Sequence, residues 1–142
     1  MYKEILYPVD ITDSGSWEMS LPVVKEHVKA FGSRLHVMAV VPDVGMSIVS
    51  QYFPNNAEEK VIEGTKAALH AFTKEHFDEG TKLHHIVSQG TVYEAIIDAA
   101  KRINADLIIM SAHRPELKDY LLGPNAARVV RHSDRSVLVV RD

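Results

Sequence analysis

The chain has 142 residues, of which 46% are hydrophobic and 25% are charged, so it fits one globular domain with a sizeable core. Its formal net charge of -3 argues against general binding to nucleic acid or acidic membranes, and the absence of cysteine excludes disulfides. The N-terminus lacks the pattern of a signal peptide, and no apolar run approaches the roughly 18 residues that span a bilayer. We therefore expect a single cytoplasmic domain over residues 1–142, with no nucleic-acid or membrane partner.

The first half of the chain alternates between patterns typical of strands and of helices. A strand is predicted over residues 5–9, and a helix follows whose apolar residues recur at spacings of three and four until Gly32 ends it. A second strand is predicted over residues 35–41. Residues 44–56 then form a predicted long loop that still carries apolar side chains.

The second half repeats this alternation. A helix begins at Ala57, and its apolar side comprises Val61, Thr65, Ala68, Leu69 and Phe72. Further strands are predicted over 83–88, 107–110 and 137–140, with helices beginning after residue 90 and over 125–131. Alternating strands and helices predict parallel strands with right-handed crossovers, and continuously apolar strands predict burial on both faces. The predicted fold class is α/β, with a single doubly wound five-stranded parallel sheet.

The topology predicts where a ligand would bind. Ligands of such sheets bind beyond the carboxyl ends of the strands, at the point where the winding direction reverses. If the two halves wind in opposite directions, the first and fourth strands are neighbours and end at Pro8-Val9-Asp10 and Met110-Ser111-Ala112. The chain then leads to Gly123-Pro124-Asn125, where a helix begins and free N–H groups favour an anion. We predict that Asp10 and Ser111 face one cleft.

Structural roles compete with ligand roles at these positions. Asp10 begins the string Asp-Ile-Thr-Asp-Ser, which favours a turn and a helix cap without any ligand. Gly123 and Pro124 are also favoured at the start of a helix, and Arg114 is alternatively a solvated loop residue.

Four stretches closely resemble the universal stress protein family: residues 2–10, 105–114, 121–123 and 129–141. The patterns Ser-x-His-Arg-Pro and Leu-Leu-Gly-x-Asn resemble most the short enterobacterial members of the F and G type. The resemblance implies strand order 3-2-1-4-5 in an adenine nucleotide α-hydrolase-like, Rossmann-like fold. It also implies a homodimer through the last strand, Val137–Arg141, and ATP binding in a subset of members.

The chain departs from the phosphate signature of ATP-binding members, which is glycine, two residues, glycine, nine residues, glycine and Ser or Thr. Ser111 and Arg114 stand at the first two glycine positions, eight residues precede Gly123, and Pro124 replaces the hydroxyl residue. Proline has no N–H, so one donor and one hydroxyl are lost, whereas the N–H groups of Asn125 and Ala126 remain. Arg114 would offer a charged fork to phosphate instead.

The resemblance also assigns the other ligand contacts. Asp10 would accept from a ribose hydroxyl or the adenine edge, Val40 would meet adenine through its backbone, and Met110 would pack on base or sugar. The implied ligand is ATP, with AMP or ADP as alternatives, and a divalent metal with the phosphates is left open. The predicted binding residues are Pro8, Val9, Asp10, Val40, Met110, Ser111, Ala112, Arg114, Gly123, Pro124, Asn125 and Ala126.

The histidines do not predict a metal site. Side chains of the adjacent His84 and His85 point to opposite faces of a strand, so they cannot chelate one ion. The other histidines show no ligand spacing and are interpreted as surface or hydrogen-bonded core residues: His27, His36, His70, His76 and His132.

No motif identifies a catalytic residue. A Walker lysine loop, a dinucleotide glycine motif and a recognisable Ser-His-Asp arrangement are all missing from the sequence. The leading hypothesis is a cytoplasmic homodimer that responds to stress by binding ATP rather than by turnover, with at most slow hydrolysis or autophosphorylation. One alternative is a dimeric scaffold that binds no nucleotide and uses the apolar residues 46–53 as an interaction patch. A third hypothesis is an adenylyl or phosphoryl transferase, for which residues 10–15 are a poor match.

Overall fold

Parallel strands alternate with helices throughout the part of the chain that the structure describes. The structure is a computed structural model and describes residues 1–41, 51, 57–112 and 124–141. The strands are β1 (Glu4–Pro8), β2 (Arg34–Val41), β3 (Lys82–Gln89), β4 (Leu107–Ser111) and β5 (Ser136–Val140). The helices that concern us are α1 (Ser20–Phe31), α2 (Ala57–His76), α3 (Val92–Arg102) and α4 (Pro124–His132). The strands and helices predicted from sequence are confirmed, whereas most of the predicted loop 44–56 lies outside the described residues.

The sheet has the strand order β3-β2-β1-β4-β5, with every neighbouring pair parallel, as predicted. β1 pairs with β2 on one side and with β4 on the other, where Leu6 is the register partner of Ile108. The chain therefore winds outward from β1 to β3, crosses back to β4 and continues to β5. The winding direction reverses between β1 and β4, which is where a ligand cleft is expected.

Alternate residues of the central strands enter two separate apolar cores, because successive side chains point to opposite faces. On one face, strand residues pack with α1 and α2; its strand members include Ile5, Tyr7, Leu35, Val37, Leu107 and Ile109. On the other face, strand residues pack with α3 and α4; its members include Leu6, Met38, Ile108, Met110, Ile96 and Ala126. Burial on both faces explains why β4 is continuously apolar.

Local signals end the helices where the sequence predicts. Gly32 follows α1 in the left-handed region, with φ of 60°, and its N–H donates to the carbonyl of Val28.

Near the start of α1, the buried hydroxyl of Tyr7 lies 2.7 Å from Ser20 Oγ. Burial raises the pKa of Tyr7 to about 12, so this contact joins β1 to α1 through two neutral hydroxyls.

Candidate functional site

A cleft of about 760 Å³ opens at the carboxyl edge of the sheet. The ends of β1, β2 and β4 form its floor, and residues of α2, α3 and the first turn of α4 line it as well. This volume lies within the roughly 300–1,000 Å³ that is typical of small-molecule sites.

The cleft brings together eight of the twelve residues predicted to bind a ligand. They are Pro8, Val9, Asp10, Val40, Met110, Ser111, Asn125 and Ala126. Asp10 and Ser111 therefore face one cleft, as the topology predicted. Ala112 and Pro124 are not among its lining residues, and Arg114 and Gly123 lie outside the described residues. The ligand contacts of all twelve remain predictions.

Asp10 is an exposed carboxylate at the end of β1, held in a tight local turn. Its Oδ1 accepts from the backbone N–H of Thr12 at 3.1 Å and from the Thr12 hydroxyl at 2.6 Å. The carbonyl of Asp10 accepts from Ser16 Oγ at 2.8 Å, which closes the loop before α1. The turn predicted for this string is present, and a carboxylate with two oxygens retains acceptor capacity toward a ligand.

The opposite wall of the cleft is the first turn of α4. Pro124 begins this helix, a position where its missing N–H is not needed within the helix. Asn125 and Ala126 follow it on the cleft, and no acidic residue lies in this first turn. The positive end of the helix dipole is therefore uncompensated by its own first turn and favours an anion.

Backbone hydrogen bonds of the sheet use two donors near the cleft. The N–H of Ala112 donates to the carbonyl of Val140 at 2.9 Å, and the N–H of Val9 donates to the carbonyl of Met38 at 2.8 Å. A ligand phosphate would have to displace the sheet to reach the Ala112 N–H. The available phosphate donors are accordingly expected on α4 and not at the end of β4.

A third wall was missed by the sequence interpretation. Val61, Thr65 and Ala68, which the pattern assigned to the apolar side of α2, line the cleft together with Gly64. Gly64 stands inside a 20-residue helix, and a Cβ added there would meet nothing within 4 Å. A glycine in a helix interior is unfavourable and here has no packing reason, which is the signal that could have pointed to this wall.

The charge of the described lining is negative. Asp10 and Asp13 are its ionisable residues, and no Lys, Arg or His belongs to the described part of the lining. Among the residues that the structure describes, no group of three or more His, Asp or Glu side chains converges to hold a metal ion. Apolar walls with two carboxylates suit an uncharged part of a ligand that bears hydroxyl or amino groups. An anionic group of the same ligand would depend on α4 for its stabilisation.

The comparisons with known proteins agree with the fold. The model of the Universal stress protein family matches residues 1–141. Universal stress protein MJ0577 from Methanocaldococcus jannaschii is 30% identical, over 99% of this chain and 96% of that protein. Universal stress protein G from Shigella flexneri is 26% identical, over 99% of this chain and 100% of its own length.

Solved structures give the same result. The structure of MJ0577 has a TM-score of 0.77 at 31% identity and covers 100% of this chain and 97% of its own. A universal stress protein in complex with cAMP has a TM-score of 0.59 at 18% identity, covering 99% of this chain and 97% of its own. In the described part of the chain, no helix has the length and apolar character needed to cross a membrane. Because the family model matches nearly every residue and the sheet order agrees, the chain belongs to the universal stress protein family.

Proposed function

We propose that this universal stress protein binds ATP or a related adenine nucleotide in the cleft between β1 and β4 and acts by binding rather than by turnover. The observation that carries the proposal is the convergence of Asp10, Ser111 and the first turn of α4 on one cleft at the switch point. Another universal stress protein, which has the same fold, has been solved in complex with cAMP, and this shared fold supports the proposal.

The nucleoside would occupy the end of the cleft between β1 and β2. Val9, Val40 and Met110 supply apolar surface for a base, and the backbone of Val40, near the end of β2, would meet the polar edge of that base. Asp10 is placed to accept from a ribose hydroxyl, since its turn already holds the carboxylate at the cleft.

The phosphates would lie toward α4. The N–H groups of Asn125 and Ala126 and the helix dipole are suited to an anion, and Arg114 would add charge. Pro124 offers no N–H and Ala112 already donates to Val140, so the described residues provide few donors for three phosphates. The described residues form no metal site of their own, so a divalent ion in this part of the cleft would be expected to arrive with the nucleotide.

Titration calorimetry with ATP, ADP and AMP on the purified full-length chain tests this proposal. We expect binding heat with the wild type and at least tenfold weaker affinity in Asp10→Asn, because the substitution removes the acceptor charge at the cleft. The matched control is Asp134→Asn, an exposed carboxylate paired with Arg135 far from the lining residues. Repeating the titration with EDTA in place of Mg²⁺ shows whether a divalent ion accompanies the phosphates.

The scaffold alternative has its own supporting observation. The described lining of the cleft carries two carboxylates and no basic side chain, which disfavours a polyanion. Absence of heat at millimolar ATP, ADP and AMP would contradict nucleotide binding and favour a dimer that works through its surface.

We also propose a homodimer through Val137–Arg141. β5 pairs with β4 on one side and lies at the end of the strand order, and an apolar edge favours association. Pairing of two such edges about a two-fold axis would give an isologous dimer. Light scattering is expected to show a dimer that Val139→Lys dissociates, whereas Val130→Lys, at a 46% exposed position on α4, leaves it intact. A wild-type monomer at micromolar concentration would contradict the proposal.

A further inference from the structure

Four of the eight histidines lie on β2, β3 and α2 and make two separate contacts, one on each face of the sheet. We call His36, His70, His84 and His85 the histidine cluster. His36 on β2 and His84 on β3 are register partners, with 2.7 Å between their Nδ1 atoms. His36 is only 4% exposed, and its Nε2 lies 3.5 Å from Oε1 of Glu4.

The other half of the cluster lies on the opposite face of β3, as expected for adjacent strand residues. The ring of His85 stacks on that of His70 from α2, with 3.7 Å between the centroids. His85 Nε2 lies 2.8 Å from the hydroxyl of Thr73, a residue of α2 that is 3% exposed. His85 thus holds α2 against β3 by a ring stack and a hydrogen bond.

Both contacts are disfavoured when the two imidazoles of a pair are both charged. Two Nδ1 atoms at 2.7 Å need one shared proton, and a second proton would place like charges at this distance. Stacked rings would repel in the same way once both were protonated. Charging His36 would also place an ion in a site that is almost closed to water.

Burial and most of the neighbouring groups also lower the pKa values of His36 and His85, and Glu4 opposes them at His36. Burial lowers the pKa of His36; Glu4 on β1 opposes this, whereas His84 and Arg34 lower the pKa further. Burial also lowers the pKa of His85, and His70 on α2 and His84 on the same strand add to the effect. Both folded-state histidines therefore resist protonation at a pH where an ordinary histidine accepts a proton.

The helix held by this cluster is also a wall of the cleft. Val61, Thr65 and Ala68 of α2 line the cleft, and His70 and Thr73 follow within the next two turns. We propose that one half of the histidine cluster, the contact of His85 with His70 and Thr73, is a proton-sensitive link between α2 and the sheet, which releases α2 on mild acidification and thereby weakens ligand binding in the cleft. The part of this inference that concerns the ligand rests on the proposed nucleotide function.

The direction of the effect follows from the two protonation states. Above about pH 7, His85 is neutral in the closed and the released states, and the contact is complete. As the pH falls below about 6.5, His85 of the released state takes up a proton that His85 of the closed state resists. The equilibrium constant for release then rises by up to about tenfold per pH unit, until the lowered pKa of His85 is reached.

Hydrogen exchange of α2 amides between pH 7.5 and 5.5, corrected for the intrinsic rate, tests the release without a ligand. We expect exchange protection of α2 to fall by about 10-fold or more in the wild-type chain over this range. The double variant His70→Gln/His85→Gln keeps polar side chains but does not titrate, so its protection is expected to change by less than about 2-fold. If the double variant does not fold, His70→Gln alone, at an exposed position, tests the same stack.

Parallel titrations with ATP test the link to the cleft. The affinity for ATP is expected to fall on acidification by about 5-fold more in the wild type than in the double variant. The double variant serves as the reference because titration of the ATP phosphates affects both proteins equally. The control His27→Gln/His132→Gln removes two histidines outside the cluster and should behave as the wild type.

Equal pH dependence of α2 exchange in the wild type and the double variant would overturn the inference. If the pH dependence of α2 exchange differs between the wild type and the double variant but the pH dependence of their ATP affinity is equal, the proposed link between α2 and the cleft is overturned. Failure of ATP to bind at pH 7.5 would contradict the proposed nucleotide function, and the exchange experiment would still decide whether the cluster releases α2.

Discussion

The cleft and the histidine cluster both place polar groups on the same sheet, but they hold them in different ways. At the cleft, the carboxylate of Asp10 is exposed and is held by Thr12, two residues further along the chain. In the cluster, His36 is buried and meets His84, which is 48 residues away in sequence. Asp10, which is proposed to bind a ligand, is held by its own turn, whereas the buried polar contact of His36 depends on the pairing of whole strands. Substitutions should therefore affect ligand binding at the first region and stability at the second.

The largest expected effect is that of His36→Ala on stability. The substitution leaves a cavity on one face of the sheet and removes the partner of His84, so the free energy of unfolding should fall by about 2–4 kcal/mol. Asp10→Ala should change it by less than about 1 kcal/mol, because Asp10 is exposed. Urea unfolding of both variants measures the difference, and equal losses of unfolding free energy would contradict the expected contrast between the two regions.

The second expected effect is a loss of stability in mild acid. The pKa values of His36 and His85 are lowered in the folded state, so the unfolded chain binds protons first as the pH falls below about 6.5. The free energy of unfolding should therefore be constant above about pH 7 and fall below it, by at most about 1.4 kcal/mol per pH unit for each histidine. Urea unfolding at several pH values measures this slope. Asp10→Asn should retain it, whereas His70→Gln/His85→Gln should reduce it.

A smaller effect, of the opposite sign, is expected at Gly64. Gly64→Ala should raise the free energy of unfolding by about 0.5–1 kcal/mol, because the new Cβ meets no atom and alanine favours a helix. If a ligand packs against α2, the same variant should bind ATP more weakly. Thermal unfolding and calorimetry measure the two effects. Ala67→Gly, at an exposed position of the same helix outside the cleft lining, is the control that should destabilise without changing affinity.

The smallest effect on stability is expected for Thr12→Ala. This substitution removes an exposed hydroxyl that donates to Asp10, so stability should change by less than about 0.5 kcal/mol. ATP affinity should fall by about 2-fold to 5-fold, because the carboxylate is held less firmly. Ser14→Ala, exposed in the same loop, serves as the control in calorimetry. A large loss of stability in Thr12→Ala would show that this turn contributes mainly to folding and not to ligand binding.

The alternation of strands and helices could be predicted from the amino-acid sequence, because apolar periodicity, Gly32 and the proline at the start of α4 act locally. Doubly wound topology then predicted that Asp10 and Ser111 share a cleft, and the structure agrees. Strand order came from the family resemblance, since pairing between β1 and β4 joins residues about a hundred positions apart.

The third wall of the cleft and the histidine cluster could not be predicted from the sequence and became evident in the folded chain. The apolar pattern of α2 is the same whether this side of the helix covers the sheet or extends past the ends of the strands. Periodicity identifies the apolar face of a helix but not the element that this face contacts. His36 meets His84, and His85 meets His70, because β2 and β3 align in one register and α2 crosses above them. Spacing along the chain cannot encode such contacts, since each depends on the relative placement of elements that are packed by their apolar cores.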